Sequence, residues 1–224
     1  MIATRRPPVP IPVRRAVLAE AADLSRLIAV AFEPLGMTRW LVPEEGDRIP
    51  VMAGFLQITV EHAIVYGEVD VAGGGLGVAV WLPCPGPDID DYDRRLEAAC
   101  GAYLARFQAL DAAMGATHPS DRPHHYLPFV AVHPSVQARG VGGALLAHHH
   151  TGLDGSGVPA YLEAADPTSA RLYRRHHYTP INRTFGPAGS RERLRPMWRE
   201  PQHTTRSSPT NPTNPTTRVE GGPR

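Results

Sequence analysis

The run Leu127-Pro128-Phe129-Val130-Ala131-Val132, followed by Gln137-Ala138-Arg139-Gly140-Val141-Gly142-Gly143 and then Ala144-Leu145-Leu146-Ala147, decides how this chain is read. The first run is β-branched and aromatic enough for a strand, and the last starts a helical pattern. A strand, a glycine turn and a helix in that order leave the first N–H groups of the helix unpaired, where the helix dipole adds partial positive charge. This is a ready anion site. Gly140, Gly142 and Gly143 remove Cβ atoms that would hold a phosphate away from those amides.

Alone, a Gln/Arg-x-x-Gly-x-Gly string has little specificity, and its surroundings supply the weight. A second apolar run, Pro159-Ala160-Tyr161-Leu162-Glu163-Ala164, lies downstream, followed by Asp166-Pro167, a favoured N-cap with a favoured first helical residue. Together, residues 124–178 resemble the core of the GNAT (GCN5-related) N-acetyltransferase family. In that resemblance, Gln137-x-x-Gly140-x-Gly142 is the acyl-CoA pyrophosphate loop. Leu172-Tyr173-Arg174-Arg175-His176-His177-Tyr178 stands in place of the closing L-Y-x-x-x-G-F segment. The resemblance implies an α/β fold with a central mixed, mostly antiparallel, splayed sheet flanked by helices.

With 224 residues, the chain has length for one substantial core, and a hydrophobic fraction of 42% suits a globular domain. Cys84 and Cys100 form no CxxC or CxxxH pattern, so they read as small core residues, with no disulfide framework or zinc site indicated. The net charge is +1; with +4 in residues 1–15 and +2 in residues 201–224, residues 16–200 carry −5. An acidic body argues against nucleic-acid binding and suits a cationic amine. No apolar run approaches a membrane span and the first residues lack a signal-peptide core, so a cytoplasmic protein is expected.

Pro7-Pro8-Val9-Pro10-Ile11-Pro12 reads as an extended lead-in, and residues 1–12 are expected to be disordered. A strand over Val13–Leu18 and a helix over Glu20–Phe32 follow, the helix ended by Pro34 and Gly36. A second helix spans Ile49–His62. The runs Ile64–Val69 and Leu76–Leu82 form a hairpin around Gly73-Gly74-Gly75, and Asp90–Met114 reads as one long helix. A helix inserted before the cofactor strand, with Ala79-Val80-Trp81 and Met197-Trp198-Arg199-Glu200-Pro201, resembles the puromycin N-acetyltransferase-like subgroup. The N-acetyltransferase domain is therefore expected over 13–201. The Thr-, Pro- and Asn-rich residues 202–224 cannot bury enough surface to offset their ordering entropy and are expected to be a disordered tail.

Acetyl transfer to an amine needs a neutral amine, a place for the developing oxyanion and a proton for the departing thiolate. Glu163 ends an apolar strand at the sheet's carboxyl end, where it could take the ammonium proton directly or through water; the position also suits a structural carboxylate. By itself, the Leu172-Tyr173 pair fits core packing; the resemblance places the Tyr173 hydroxyl beside the CoA sulfur, as general acid or orienting donor. It also implies pantetheine pairing along Val130, Ala131 and Val132, with an oxyanion donor near Ala131 or Val132. Ala138, Arg139, Val141 and Gly143 complete the pyrophosphate loop.

Two residues depart from the family pattern. Ser169 replaces an asparagine that reaches the pantetheine, which weakens one cofactor contact. His177 replaces a helix-terminating glycine, at a cost of about 1 kcal/mol. The histidines of His148-His149-His150 point about 100° apart on a helix and cannot share a metal, while His124-His125 and His176-His177 show no partners for one. No metal is expected. His125 and His133 are reserve candidates for proton handling.

The expected activity is acetyl-CoA-dependent acetylation of a small-molecule primary amine by direct attack in a ternary complex, since no cysteine lies within the motif segment. The expected state is a monomer or homodimer. An acyl-CoA-binding regulatory or assembly module with little catalysis is the alternative.

Overall fold

In the computed structural model, the residues described are 10–202. The expected lead-in, up to its last three residues, and the tail, beyond its first, lie outside them. Seven strands form one sheet in the order β1-β2-β3-β4-β5-β7-β6. They are β1 (Val13–Arg15), β2 (Glu68–Ala72), β3 (Gly77–Cys84), β4 (His124–Val132), β5 (Ala160–Ala164), β6 (Thr179–Pro180) and β7 (Arg195–Arg199). Every pairing is antiparallel except β4 with β5. This is the mixed, mostly antiparallel sheet that the resemblance implies.

Seven α-helices flank it: α1 (Ala21–Phe32), α2 (Gly36–Leu41), α3 (Glu45–Tyr66), α4 (Tyr92–Cys100), α5 (Leu104–Gly115), α6 (Val141–Ser156) and α7 (Pro167–Arg175). Side chains alternate across a strand, so the sheet has two covered faces. Val69, Val71, Val78, Val80 and Ala131 pack with α1, α3 and α4, while Ala79, Trp81, Leu162 and Ala164 pack with α6 and α7.

Several expected boundaries move, each for a local reason. Ile64-Val65-Tyr66 belongs to α3 and not to a strand; the helix runs on until Gly67, whose amide bonds the Ala63 carbonyl at 2.9 Å. A Cβ at Gly67 would lie 2.1 Å from the Trp81 carbonyl, so only glycine lets β2 leave the helix here. The single helix expected over Asp90–Met114 is two, because Gly101 takes φ +49° between α4 and α5. The short helix α2 was not expected. Contrary to the reading that no apolar run approaches a membrane span, the 22-residue α3 is long and apolar enough to cross a membrane, by length and composition. Its Met52, Leu56, Ile58 and Val60 are buried in the core, the placement of a core helix.

Candidate active site where two strands part

β4 and β5 share only two register pairs, His125 with Ala160 and Tyr126 with Tyr161. Beyond them, residues 127–132 of β4 and 162–164 of β5 have no ladder to each other, so the sheet splays. The register of β3 with β4 shifts by one between Val80 and Leu82, setting Leu127 and Pro128 together opposite Trp81. Such a bulge bends its strand and sharpens the twist, and Pro128 has no N–H to lose from a ladder. His133 N bonds Leu76 O toward β3. By antiparallel alternation, the N–H groups of Val130 and Val132 therefore face the opening, whereas that of Ala131 faces β3. The Val132 carbonyl already accepts from Gln137 Nε2 at 3.1 Å, so Gln137 closes one end of this edge.

Glu163 projects from β5 on the face away from α6, as does Tyr161 two residues earlier, whereas Ala160, Leu162 and Ala164 project toward α6 and α7. Burial raises the Glu163 carboxyl to about 7, and the nearby hydroxyls of Tyr161 and Tyr126 hold it from rising further. Glu163 Oε1 and both tyrosine hydroxyls are buried without a completed hydrogen bond. A buried polar group left this way costs about 1–3 kcal/mol, so the cluster favours a ligand that brings N–H donors. A carboxyl that ionises near neutrality is matched to accepting a proton there.

At the far end of β4, Gly140 caps α6 with φ +87°, and Ala138 takes φ +61°. Ala144 N makes the first backward bond, 2.9 Å to Gly140 O. Among the described residues, the N–H groups of Val141, Gly142 and Gly143 have no acceptor. Three free amides at the positive end of a 16-residue helix fit a diphosphate group. The glycines also serve packing: a Cβ at Gly142 would touch Leu172 and Val132 at 3.6 Å, and one at Gly143 would press His176 Nε2 at 3.3 Å. Only at Gly140 would a Cβ meet open space. Arg139 is exposed beside the amides.

Asp166 caps α7 as its sequence predicts, accepting from Thr168 N at 2.5 Å and Ser169 N at 2.8 Å. The Ser169 hydroxyl accepts from Asp166 N and donates to Asp166 O, so the cap already engages it. Tyr173, one turn on, is 7% exposed and packs beside Ala170 and Tyr178. Burial, with the Asp166 and Glu163 charges, pushes its hydroxyl up, so it remains a protonated donor at neutral pH.

Side chains that sequence reasoning missed surround Glu163. The Tyr126 and Tyr161 ring centroids are 5.8 Å apart, and His118 meets both rings edge-on at 4.8 and 4.9 Å. The strand period could have placed Tyr161 beside Glu163; Tyr126 depends on cross-strand register. His125 turns to the other face, with Nδ1 3.0 Å from His149 Nε2. His133 Nδ1 engages Ser135 at 2.8 Å. Neither reserve histidine joins the Glu163 cluster.

No family model matches the chain. Solved structures do. The chain is similar to a Corynebacterium glutamicum protein described as histone acetyltransferase HPA2 and related acetyltransferase: identity is 27%, coverage 88% of this chain and 99% of that one, TM-score 0.63. Similarity extends to the polyamine N-acetyltransferase of Drosophila melanogaster, which forms N-acetylagmatine, at 20% identity, 85% and 99% coverage and TM-score 0.58. A protein described as a GNAT-family acetyltransferase from Desulfovibrio desulfuricans matches at 18% identity, 86% and 99% coverage and TM-score 0.54. The fold is that of the GNAT acetyltransferases, and the chain is built as an acyltransferase.

Proposed function

We propose that this chain is an acetyl-CoA-dependent N-acetyltransferase that acetylates a primary amine on a small molecule by direct attack in a ternary complex. The observation that carries the reading is the unpartnered Glu163 carboxyl beside the opening between β4 and β5, with free helix amides at the opening's far end. An acyl-CoA laid along β4 would set its diphosphate on Val141, Gly142 and Gly143, and its pantetheine against the N–H groups of Val130 and Val132.

Glu163 takes one proton from the incoming ammonium, which frees the nitrogen lone pair to form the N–C bond at the thioester carbonyl carbon. At the acyl end of that arm, the Val130 N–H, nearer than that of Val132 to Glu163 along the opening, faces the charge that develops on the carbonyl oxygen. As the C–S bond breaks, the nitrogen loses its second proton to solvent and Tyr173 gives its proton to the departing sulfur; solvent then reprotonates Tyr173 and takes the proton from Glu163. A charge of −5 over residues 16–200 favours a cationic acceptor. We assign the domain to residues 13–201. The α4–α5 insertion before β4 supports placement near the puromycin N-acetyltransferase-like subgroup.

Calorimetric titration of acetyl-CoA into wild type and Arg139→Glu tests the donor site. Charge reversal at this exposed residue repels a diphosphate without disturbing the packing that a Gly142 substitution would enter. Binding weakened by at least ~10-fold, corresponding to 1.4 kcal/mol or more, supports the reading. Equal binding, or none by wild type, overturns it. Binding without turnover across a panel of primary amines would favour the regulatory or assembly alternative.

A further inference from the structure

On the face of the sheet that carries Glu163, three side chains from separate parts of the chain converge. Cys84 ends β3, His118 follows α5 and His124 opens β4. One ligand atom from each lies within 4.8 Å of the others, and His118 Nε2 is 3.1 Å from His124 Nε2. Tetrahedral zinc bonded to two imidazoles holds their nitrogens about 3.3 Å apart. The sequence His118-x5-His124 also has a histidine spacing found in zinc sites.

The proton positions suit a cation. His124 Nδ1 is 3.0 Å from the Arg122 carbonyl, which can only accept, so Nδ1 carries the hydrogen and Nε2 presents a lone pair toward His118. Metal-bound imidazoles are oriented in this way by a carbonyl behind them. Arg122 does not compete: its guanidinium pairs with Glu200 at 2.6 Å and lies 4.9 Å from the Trp198 ring centroid. The second cluster of possible ligands, Glu68, Asp70 and His149, differs in this respect, because Arg15 already pairs with both carboxylates.

We propose that Cys84, His118 and His124 form a three-ligand site for a zinc-class divalent cation, with a fourth position taken by water. Its donor set, one thiolate and two imidazoles, is the borderline-soft combination that zinc selects. As the metal–sulfur bond forms, the Cys84 thiol releases its proton to solvent. The bound ion ties residues 116–123 to β3 and β4. Through the His118 ring it braces Tyr126 and Tyr161, which flank Glu163. The site stands whether or not the chain acetylates amines.

The test is titration of the chelator-stripped full chain with Co²⁺ and then Zn²⁺. Expected results are one tetrahedral Co²⁺ per chain with a thiolate charge-transfer band, displacement by Zn²⁺, and one proton released per Zn²⁺. Cys84→Ser and His118→Gln should each weaken binding by at least ~10-fold, while Cys100→Ala and His149→Gln leave it unchanged. The unfolding midpoint of wild type should rise with Zn²⁺. A missing thiolate band, binding insensitive to either ligand substitution, or binding abolished by His149→Gln overturns the proposal. Should Cys84→Ser fail to fold, His118→Gln on its half-buried loop still decides it.

Discussion

Tyr126 stands opposite Tyr161 at the last pair that β4 and β5 share, and the two hydroxyls act on one carboxyl, that of Glu163. Both favour the ionised form and so hold its pKa down against the effect of burial. Removing either hydroxyl should therefore raise it. If ionised Glu163 accepts the ammonium proton, the acid limb of the kcat/KM profile lies near pH 7 in wild type and moves upward in Tyr161→Phe. The expected loss is about threefold below the limb, with little change on the alkaline plateau. Rates measured across pH in chelator-treated protein check this, and an unmoved limb would separate Tyr161 from the base.

The same carboxyl links activity to stability. Glu163 is raised from 4.5 to about 7 in the fold, so between those values the native state holds more protons than the unfolded chain. Its contribution is present at low pH and is lost as pH rises through 7. Glu163→Gln, neutral and of equal size, should match wild type near pH 4. At pH 8 it should be more stable by about 2 kcal/mol, a figure reduced for the solvent-facing part of a half-buried residue. Its turnover should fall by about 10²-fold or more. Denaturant unfolding at the two pH values gives the answer, and equal stability at pH 8 would contradict it.

Tyr173 carries a different expectation. A hydroxyl pushed up by burial cannot act as a base at neutral pH; it can only donate. Tyr173→Phe should lower kcat by about 10–100-fold, leave KM for acetyl-CoA nearly unchanged and add no new limb to the pH profile. A change confined to KM would assign this residue to binding and packing instead.

The parts of this fold that can be read from sequence are those whose signals are local. Gly140 marks the start of α6 and Asp166-Pro167 that of α7, because a turn glycine and an N-cap act within a few residues. Glu163 could be found because its strand is apolar on both sides of it. What could not be read depends on pairing across the sheet. The one-residue bulge at Leu127 and Pro128 resets the register of β4, and with it the face that each of His124, His125 and Tyr126 occupies. For this reason the sequence points to His125 for proton handling and carries no local sign of Tyr126 or His118. Their nearness to Glu163 arises from partners distant in sequence.

The end of α7 offers a test free of catalysis. The helix closes with Tyr178 N bonding Tyr173 O at 3.1 Å and His177 N bonding Arg174 O at 3.1 Å, the paired bonds of a Schellman turn. That turn requires a left-handed residue after the cap, and His177 sits there with φ +69°. A side chain in this region is strained where glycine is not. The turn also seats Tyr178, 1% exposed, with its hydroxyl 3.0 Å from His150 Nε2, so the strain is held by well-packed neighbours. His177→Gly should therefore raise stability by about 1 kcal/mol, with acetyl-CoA affinity unchanged. Thermal or denaturant unfolding of the purified variant measures this directly. A destabilised variant would mean that the His177 side chain contributes contacts outweighing the backbone strain.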